Sequence, residues 1–364
     1  MPRPIIALLL AASLCGAPVA AQTVVFINPG KSDEIYWVTA ARAMQAAAED
    51  LGMKLEVRFT ERDHTRTIEI ARELAARPPG SRPDYAVITN DNATGAGQLK
   101  VLDAAGIRTL FAYSTLGAPE RGETGGPRER YKGWLGSIEP RAEDAGYLTA
   151  RALIEAGRNA KAHGADGRIH LLAIAGDRTT PSSILRNNGM QQAVSEATDV
   201  VLDQVVYAAW TREKAEEQAE WLYRRHPAAR LVWAGNDLMA FGAMKALEKQ
   251  GGRPGGTHWF SGVNTSTEAM DALRSGRLAA LAGGHFICGA WALVLIHDYS
   301  KGRDFASEGL EFSRTMFTLF DSQTAARFVE RYSAGFGSID FRAYSKAANP
   351  KLARYDFDFG QFLH

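Results

Sequence analysis

Short runs of aliphatic and β-branched residues alternate with amphipathic stretches along this chain, and the alternation occurs twice. In the first part, apolar residues at helical spacing follow each strand-like run, which predicts strands joined by helices. The predicted strands are 24–27, 55–59, 85–89 and 108–112, and the helices between them are 36–51, 65–76 and 96–105. Strands and helices in this order predict a parallel sheet with helices on both faces.

A second set of alternating segments follows Gly117–Trp134, a segment rich in glycine and proline that predicts a surface loop. The strands of this set are 169–174, 201–206, 231–234 and 258–262, and its helices are 183–197, 213–224, 238–250 and 267–275. A chain of 364 residues is also longer than one hydrophobic core comfortably serves. The sequence therefore predicts an α/β fold of two doubly wound lobes, each with a parallel sheet.

The first 22 residues have the features of a secretory signal peptide. Arg3 supplies a positive charge, residues 5–14 are apolar, and the small residues 19–21 form a cleavage motif. Cys15 does not fit a lipid attachment site, because a leucine precedes it where a small residue is required. We therefore predict cleavage near Ala21 and a protein that is free in the periplasm.

The charge balance excludes several classes of partner. The chain has 42 Lys and Arg against 41 Asp and Glu, and the leader contributes only Arg3 to this balance. An even balance favours neither nucleic acid nor an anionic membrane as a partner. Beyond the leader, no run approaches the roughly eighteen apolar residues of a membrane span. Cys288 is the only cysteine after the leader, which predicts a buried thiol and no internal disulfide.

Ligands of open parallel sheets bind beyond the carboxyl ends of the strands. The side chains that follow the predicted strands are rich in amides, hydroxyls and aromatic rings, a composition that suits hydrogen bonding to hydroxyl groups together with ring stacking. The candidate ligand-binding residues are Glu34, Tyr36, Trp37, Asp91, Tyr113, Ser114, Arg186, Trp210, Asn236, Asn264 and His285.

Motifs of catalysis and of cofactor binding are incomplete in this sequence. Gly30-Lys31-Ser32 resembles the end of a phosphate-binding loop, but Val25 stands where that motif needs a glycine. Gly95-Ala96-Gly97 lacks the third glycine of a dinucleotide-binding turn. The eight histidines are scattered, and none has the spacing of a metal site. We therefore predict no cofactor, no metal and no enzymatic activity.

The segment Trp233–Met244 carries the most specific resemblance to a known family. In it a strand ends at a glycine, and Asn236-Asp237 opens a helix. Together with 262–264 and 278–280, this segment resembles the ribose-type periplasmic binding proteins of ABC transporters and the ligand-binding core of LacI-type repressors. The resemblance runs from Val24 to Leu319. It implies a three-strand hinge with crossovers near Gly136, Gly284 and Glu311, a first lobe of residues 23–136 and 285–311, and a second lobe of residues 137–284 and 312–319.

The resemblance also implies roles for individual residues. In the family, two aromatic residues after the first strand stack on one face of a sugar, and Tyr36 and Trp37 occupy those positions. Trp210 matches the aromatic residue that covers the opposite face. Arg186 and Asn236 match residues that bind sugar hydroxyls. We further predict Asp237 as the cap of its helix, which leaves Asn236 free to reach the ligand.

Several positions depart from the ribose pattern, and they all lie where hydroxyl groups are bound. Glu34 stands in place of an asparagine, Tyr113-Ser114 in place of an Asp-Arg pair, and Asn264 in place of an aspartate. Gly284 replaces a glutamine at the hinge, with His285 beside it. These departures predict a different sugar, a polyol or a furanosyl compound as the ligand.

The chain continues past the family core with an extension, residues 320–364, that includes a predicted helix over Asp321–Tyr332. This extension either packs across the lobes or forms a docking surface. The second possibility is kept because the chain has some likeness to the autoinducer-2 receptor, a relative that acts on a membrane sensor kinase.

The prediction is thus a monomeric periplasmic protein that binds a sugar-like ligand and delivers it to an ABC-type permease. The alternative is a ligand-sensing co-receptor for a membrane sensor kinase or cyclase. A secreted hydrolase would differ from both by turning its ligand over, and a repressor is excluded by the leader and by the missing N-terminal DNA-binding motif.

Overall fold

The computed structural model describes residues 21–363. Nearly all of the predicted signal peptide, residues 1–22, lies outside the described residues. Within residues 21–363, no helix is both long enough and apolar enough to cross a membrane.

The first part of the chain alternates strands and helices as predicted. Its elements are β1 (Thr23–Asn28), α1 (Ile35–Asp50), β2 (Lys54–Phe59), α2 (His64–Ala76), β3 (Tyr85–Ile88), α3 (Gly95–Ala104), β4 (Arg108–Ala112), α4 (Ala118–Thr124) and β5 (Trp134–Pro140). The predicted segments of this part are all present, and their ends differ by a single residue at most. Asp63 shows why one of them begins where it does, because its carboxylate accepts hydrogen bonds from the first free N–H groups of α2.

The second part of the chain repeats the alternation. Its elements are α5 (Ala142–Asn159), β6 (Ile169–Ala175), α6 (Pro181–Ser195), β7 (Val200–Tyr207), α7 (Arg212–Arg225), β8 (Leu231–Ala234), α8 (Asp237–Lys249), β9 (Trp259–Val263), α9 (Thr267–Arg274) and β10 (Ala280–Gly283). The remaining elements are α10 (Cys288–Ser300), β11 (Glu311–Arg314), β12 (Thr318–Leu319) and α11 (Ser322–Tyr332).

The strands of residues 21–363 form two six-stranded sheets, in the orders β11-β5-β4-β3-β1-β2 and β12-β10-β9-β8-β6-β7. Neighbouring strands are parallel, except that β12 is antiparallel to β10. The predicted α/β fold of two doubly wound lobes is therefore confirmed. In each sheet the strand order reverses between the first and third strands of its lobe, which are β1 and β3, and β6 and β8. Such a switch point opens a crevice at the carboxyl ends of the strands.

The hinge between the lobes follows from the bounds of three strands. β5 extends to Pro140 and β11 to Arg314, and β11 pairs over its whole length with the last four residues of β5 in the first sheet. β10 ends just before Gly284. We therefore propose crossovers after Pro140, at Gly284 and after Arg314. The first and third lie a few residues later than the positions expected near Gly136 and Glu311, and the lobe bounds shift with them.

The segment Gly117–Trp134 is more ordered than a surface loop, so that prediction was partly wrong. Helix α4 forms within it, with a proline in its first turn and the Glu120 carboxylate accepting a hydrogen bond from the N–H of Gly117. The Trp134 side chain is fully buried beneath the Arg121 guanidinium. Composition did not reveal this helix, because its charged residues resemble those of a loop.

The C-terminal extension contacts elements of both lobes. Trp291 on α10, in the first lobe, packs against the rings of Phe341 and Phe357 from the extension. The buried carboxylate of Asp298 accepts hydrogen bonds from the Tyr355 hydroxyl and from the backbone N–H of Lys346. Helix α11 packs against α9 of the second lobe. The extension therefore covers α10, a helix whose side chains are buried over most of its length.

Candidate ligand-binding site

A cavity lies between the lobes, at the carboxyl ends of strands from both sheets. The residues that line it are Glu34, Tyr36, Trp37, Arg62, Asp91, Tyr113, Pro140, Ser182, Arg186, Trp210, Asn236, Asn264 and His285. All predicted site residues except Ser114 are among them. Arg62, Pro140 and Ser182 were not predicted. That these residues contact a ligand stays a prediction.

Tyr36 and Trp37 begin α1, but they stand in different surroundings. The ring of Tyr36 stacks on the imidazole of His285, with ring centroids 4.7 Å apart. Trp37 is only 4% exposed and meets Tyr113 edge to face. Its ring also lies against Gly30 so closely that a Cβ there would approach it to 2.0 Å. Trp37 therefore belongs largely to the core, and Tyr36 is the more exposed of the two rings.

Trp210 is the aromatic side chain that the second lobe contributes to the cavity. It follows β7 in a turn with positive φ angles at Ala209 (47°) and Trp210 (63°), a conformation that costs backbone energy. Its indole Nε1 donates to Oδ2 of Asp177 over 2.7 Å. The ring also needs the glycine at position 176, where a Cβ would lie 2.3 Å from it. These contacts hold the indole at the edge of the cavity.

Arg186 lies on α6 and is 5% exposed. Its Nη1 donates to the carbonyl oxygen of Gly235 over 2.7 Å, and its Nη2 donates to Nε2 of His285 over 2.9 Å. Burial lowers the pKa of Arg186 to about 10, so the guanidinium remains charged at neutral pH. Within the described residues its Nε has no hydrogen-bond partner. The guanidinium lies over the ring of Trp210, 5.5 Å from the centroid.

Asn236, and not Asp237, caps helix α8. Asn236 is the cap of α8, because its Oδ1 accepts from the N–H of Met239 over 2.8 Å. Asp237 instead accepts hydrogen bonds from Nδ2 of Asn264 at 2.8 Å and from Oγ of Ser266 at 2.5 Å. The buried Asp237 carboxylate thus holds Asn264, which lines the cavity with a positive φ of 118°. The prediction that Asp237 caps the helix was wrong.

The first lobe contributes a charged cluster that consists of Glu34, Arg62 and Asp91. Arg62 Nε donates to Glu34 Oε2 over 2.9 Å, and its Nη2 makes a second contact with the same carboxylate. Arg62 Nη1 lies 3.8 Å from Asp91 Oδ2, which is too far for a direct hydrogen bond. The other oxygen of Asp91 accepts from the hydroxyl of Ser114 over 3.3 Å. Ser114 therefore stands behind Asp91 and does not line the cavity, contrary to the prediction.

Burial determines the protonation of two groups in the cavity. It raises the pKa of Asp91 to about 6, although Arg62 opposes this shift. Burial and the Arg186 charge hold the pKa of His285 well below its usual range, so its imidazole is neutral. Among the described residues, no group of three His, Cys, Asp or Glu side chains is placed to bind a metal ion. The cavity thus combines two guanidinium groups, two carboxylates, amides and aromatic rings.

The fold and this cavity can now be compared with known proteins. A family model described as the periplasmic binding protein domain matches residues 24–304, which is most of the chain. The chain belongs to the periplasmic binding protein family. A periplasmic sugar-binding protein from Pseudomonas fluorescens is 36% identical in sequence, with a TM-score of 0.84 over 94% of this chain and 99% of that chain. The comparison with curated proteins found no match.

Two more distant structures of periplasmic binding proteins share the fold. A galactofuranose binding protein is 18% identical, with a TM-score of 0.71 over 86% of this chain and 99% of that chain. The periplasmic binding protein component of the arabinose ABC transporter from Shewanella sp. ANA-3, bound to arabinofuranose, is 20% identical, with a TM-score of 0.69 over 86% and 97%. The resemblance stated from the sequence is therefore confirmed at the level of the family.

Arg62 is the charged residue of the site that sequence reasoning missed. It follows β2, so the rule that ligands bind beyond the carboxyl ends of parallel strands (the strand-end rule), which selected the other candidates, applies to it equally. The two residues of its turn, Glu61 and Arg62, have φ angles of 55° and 63°. The sequence gives no sign that the turn bends back toward β1. In this member of the periplasmic binding protein family, that bend brings the guanidinium to Glu34.

Proposed function

We propose that this protein is a periplasmic solute-binding protein whose two lobes close on a small sugar-like ligand. The observation that carries the proposal is a single cavity lined from both lobes by aromatic rings and planar hydrogen-bonding groups. The Pseudomonas fluorescens relative, described as a sugar-binding protein, supports the same ligand class.

The chemistry of the cavity matches that of a sugar. Aromatic rings suit the C–H faces of a sugar ring, and planar groups suit the hydroxyls at its edge. Tyr36 and Trp210 supply rings from opposite lobes. Arg186 and Asn264 supply donors and acceptors from the second lobe, and Asp91 supplies an acceptor from the first. A ring-shaped ligand with several hydroxyl groups would satisfy both kinds of contact together.

Ligand binding and lobe closure are coupled in this proposal. The lobes already meet beside the cavity, where the N–H of Asn92 donates to Oγ1 of Thr180 over 3.3 Å. A ligand that contacts both lobes favours the closed form by its differential affinity for that form. The closed protein, acting as a monomer in the periplasm, would then deliver the ligand to an ABC-type permease in the membrane.

We infer binding without catalysis. Two pairs of charged or titratable side chains in the cavity are engaged with each other, Glu34 with Arg62 and His285 with Arg186. Such pairing fixes side chains for recognition. The Asp91 carboxylate does lie beside a hydroxyl, that of Ser114, but Ser114 does not line the cavity and so does not face a bound ligand as a nucleophile.

A thermal-shift screen tests the proposed function. The probes are D-galactose, L-arabinose, D-ribose, D-allose and myo-inositol. A sugar at 100 times its Kd should stabilise the wild-type protein by about 2.7 kcal/mol. The same sugar should give a much smaller shift with Arg186→Ala, because the variant lacks the buried guanidinium. Arg224→Ala, on the exposed face of α7, is the matched control. No shift with any probe, from a folded wild-type protein, would refute a sugar-binding role.

A further inference from the structure

The first lobe contains an arginine and a carboxylate that face each other without touching. Arg62 is fixed by Glu34, which accepts hydrogen bonds from two of its three guanidinium nitrogens. The third nitrogen, Nη1, and Oδ2 of Asp91 remain 3.8 Å apart. Both residues line the cavity. A charged donor and a charged acceptor are therefore presented side by side to whatever fills it.

The backbone is strained on both sides of the cavity edge where these two side chains lie. Glu61 and Arg62 both have positive φ angles, and so do Asn92 and Ala93, directly after Asp91. Positive φ is costly for residues other than glycine, and such residues cluster where side chains are held for function. The Arg62 turn is also tied to the β1–α1 loop, because the N–H of Ser32 donates to the Glu61 carboxylate. Two strained turns from different strands thus converge on one edge of the cavity.

We propose that Arg62 and Asp91 together bind one hydroxyl edge of the ligand. Arg62 Nη1 would donate to a hydroxyl oxygen, and the same hydroxyl or its neighbour would donate to Asp91 Oδ2. This inference rests on the proposed sugar-binding function. In the ribose pattern an Asp-Arg pair follows β4, where this chain has Tyr113-Ser114. Here an arginine after β2 and an aspartate after β3 would take the place of that pair. Ser114 holds the far side of the Asp91 carboxylate, which fixes the direction of Oδ2.

The charge of the cluster defines the class of ligand at this edge. Glu34 neutralises Arg62, and Asp91 adds a second carboxylate, so the cluster presents no net positive charge. A phosphate or carboxylate group would meet repulsion here, whereas a neutral hydroxyl can serve as both acceptor and donor. The pair therefore selects a neutral polyhydroxy compound over a sugar acid or a sugar phosphate.

Calorimetric titration of variants tests the pair. With the sugar that binds the wild-type protein most tightly, Arg62→Gln and Asp91→Asn should each weaken binding at least tenfold. Their double variant should lose less than the product of the two single losses, because both residues act on the same hydroxyl edge. Arg62→Lys keeps a positive charge beside Glu34, so it should fold as the wild type does. It should still weaken binding, because it lacks the third guanidinium nitrogen that faces Asp91. Arg66→Gln, at a half-buried position of α2 where the arginine pairs with Glu69 and Glu73 outside the cavity, should bind as the wild type does.

Analogues of that sugar, each lacking one hydroxyl, test the pair with the wild-type protein alone. One deoxy position should cost at least tenfold, and the double variant should no longer distinguish that analogue from the parent. Sugar acids and sugar phosphates such as D-galacturonate and D-galactose 6-phosphate should bind at least tenfold more weakly than D-galactose.

Three results would overturn the pair: wild-type affinity in Arg62→Gln and Asp91→Asn, deoxy penalties that persist in the double variant, or acids that bind as tightly as the neutral sugar. If Arg186→Ala still weakens binding at least tenfold in any of these cases, the proposed function stands and only the pair fails. If the wild-type protein binds no sugar, both proposals fail.

Discussion

Nη2 of Arg186 donates a hydrogen bond to Nε2 of His285 over 2.9 Å, and this contact connects α6 of the second lobe to the crossover that follows Gly284. Because a guanidinium can only donate, Nε2 must be the accepting nitrogen, and the proton of the neutral imidazole is on Nδ1. Tyr36 of the first lobe stacks on the same imidazole. His285 thus joins residues of both lobes at the base of the cavity.

Replacement of His285 should show how much its Nε2 acceptor contributes to the free energy of unfolding. His285→Phe keeps a ring against Tyr36 but leaves a buried donor of Arg186 unpaired. The free energy of unfolding should fall by about 1–3 kcal/mol, measured by urea denaturation. His285→Gln retains an acceptor and should lose less. Equal losses in the two variants would show that the ring contacts, and not the hydrogen bond, stabilise this position.

Loss of Trp210 should weaken sugar binding, whereas loss of a tryptophan outside the cavity should not. Trp210→Ala removes a ring from the edge of the cavity and frees Asp177, so the Kd of the best sugar should rise at least tenfold, about 1.4 kcal/mol. Trp221 is 64% exposed on α7, and Trp221→Ala is the matched control. Calorimetric titration gives the Kd of the sugar for both variants. A similar loss in both, or in neither, would contradict the assignment of Trp210.

Sugar affinity should rise with pH through about 6. Burial raises the pKa of Asp91 to about 6 in the free protein, and a ligand hydroxyl that donates to the carboxylate favours its ionised form. Binding therefore releases a proton at low pH, and affinity at pH 5 should be up to about tenfold weaker than at pH 7.5. Asp91→Asn should flatten this dependence.

Glu139 provides the control for this pH effect. Burial raises its pKa to about 7, although a hydrogen bond from the N–H of Thr115 opposes the shift, and its side chain does not line the cavity. Glu139→Gln should therefore keep the pH dependence of the wild type. If affinity became independent of pH in Glu139→Gln but stayed pH-dependent in Asp91→Asn, the titrating group would be Glu139, and the prediction for Asp91 would be wrong.

The extension should stabilise the hinge through Phe359. Gly284 has a φ of 116°, and a Cβ there would lie 2.2 Å from the Phe359 ring. Gly284→Ala should lower the free energy of unfolding by about 2 kcal/mol or more, through strain and this collision. Phe359→Ala should itself cost about 3–5 kcal/mol. The double variant should lose less than the sum of these costs, because the collision with the ring is absent and only the contact with the backbone oxygen of Met316, 2.7 Å from the added Cβ, remains.

Gly302 separates the two contributions at Gly284. Its φ is 76°, but a Cβ there would have nothing within 4 Å. Gly302→Ala therefore reports the cost of positive φ alone, and thermal denaturation should show a smaller loss than in Gly284→Ala. Equal losses would mean that Phe359 does not press on the hinge.

The lobes and most of their strands could be predicted because the alternation of β-branched and amphipathic segments is a local property. Helix α1 begins and ends within a residue of its predicted bounds. We propose a first crossover later than the one predicted, because β5 continues to Pro140 by pairing with β11, which is distant in sequence. No local pattern in Trp134–Pro140 reveals that partner.

The candidate site was predicted from the strand-end rule and from the family resemblance, and their limits explain the misses. That Trp37 stacks on the ligand stays a prediction: it lines the cavity, but its close contact with Gly30 holds most of its ring in the core, which the sequence does not reveal. Asp237 was predicted as the cap because either side chain can cap a helix, but its carboxylate is engaged by Asn264 and Ser266, and Asn236 is the cap. Such contacts between distant segments appear only in the folded protein.

Calorimetric titration of the wild-type protein with neutral sugars tests the central claim most directly. The account predicts that at least one neutral monosaccharide or polyol binds at a single site with one molecule per chain, and that Arg186→Ala or Trp210→Ala weakens it at least tenfold. A folded protein that binds none of these compounds would contradict the account. So would a protein that binds one of them equally well without Arg186 and Trp210.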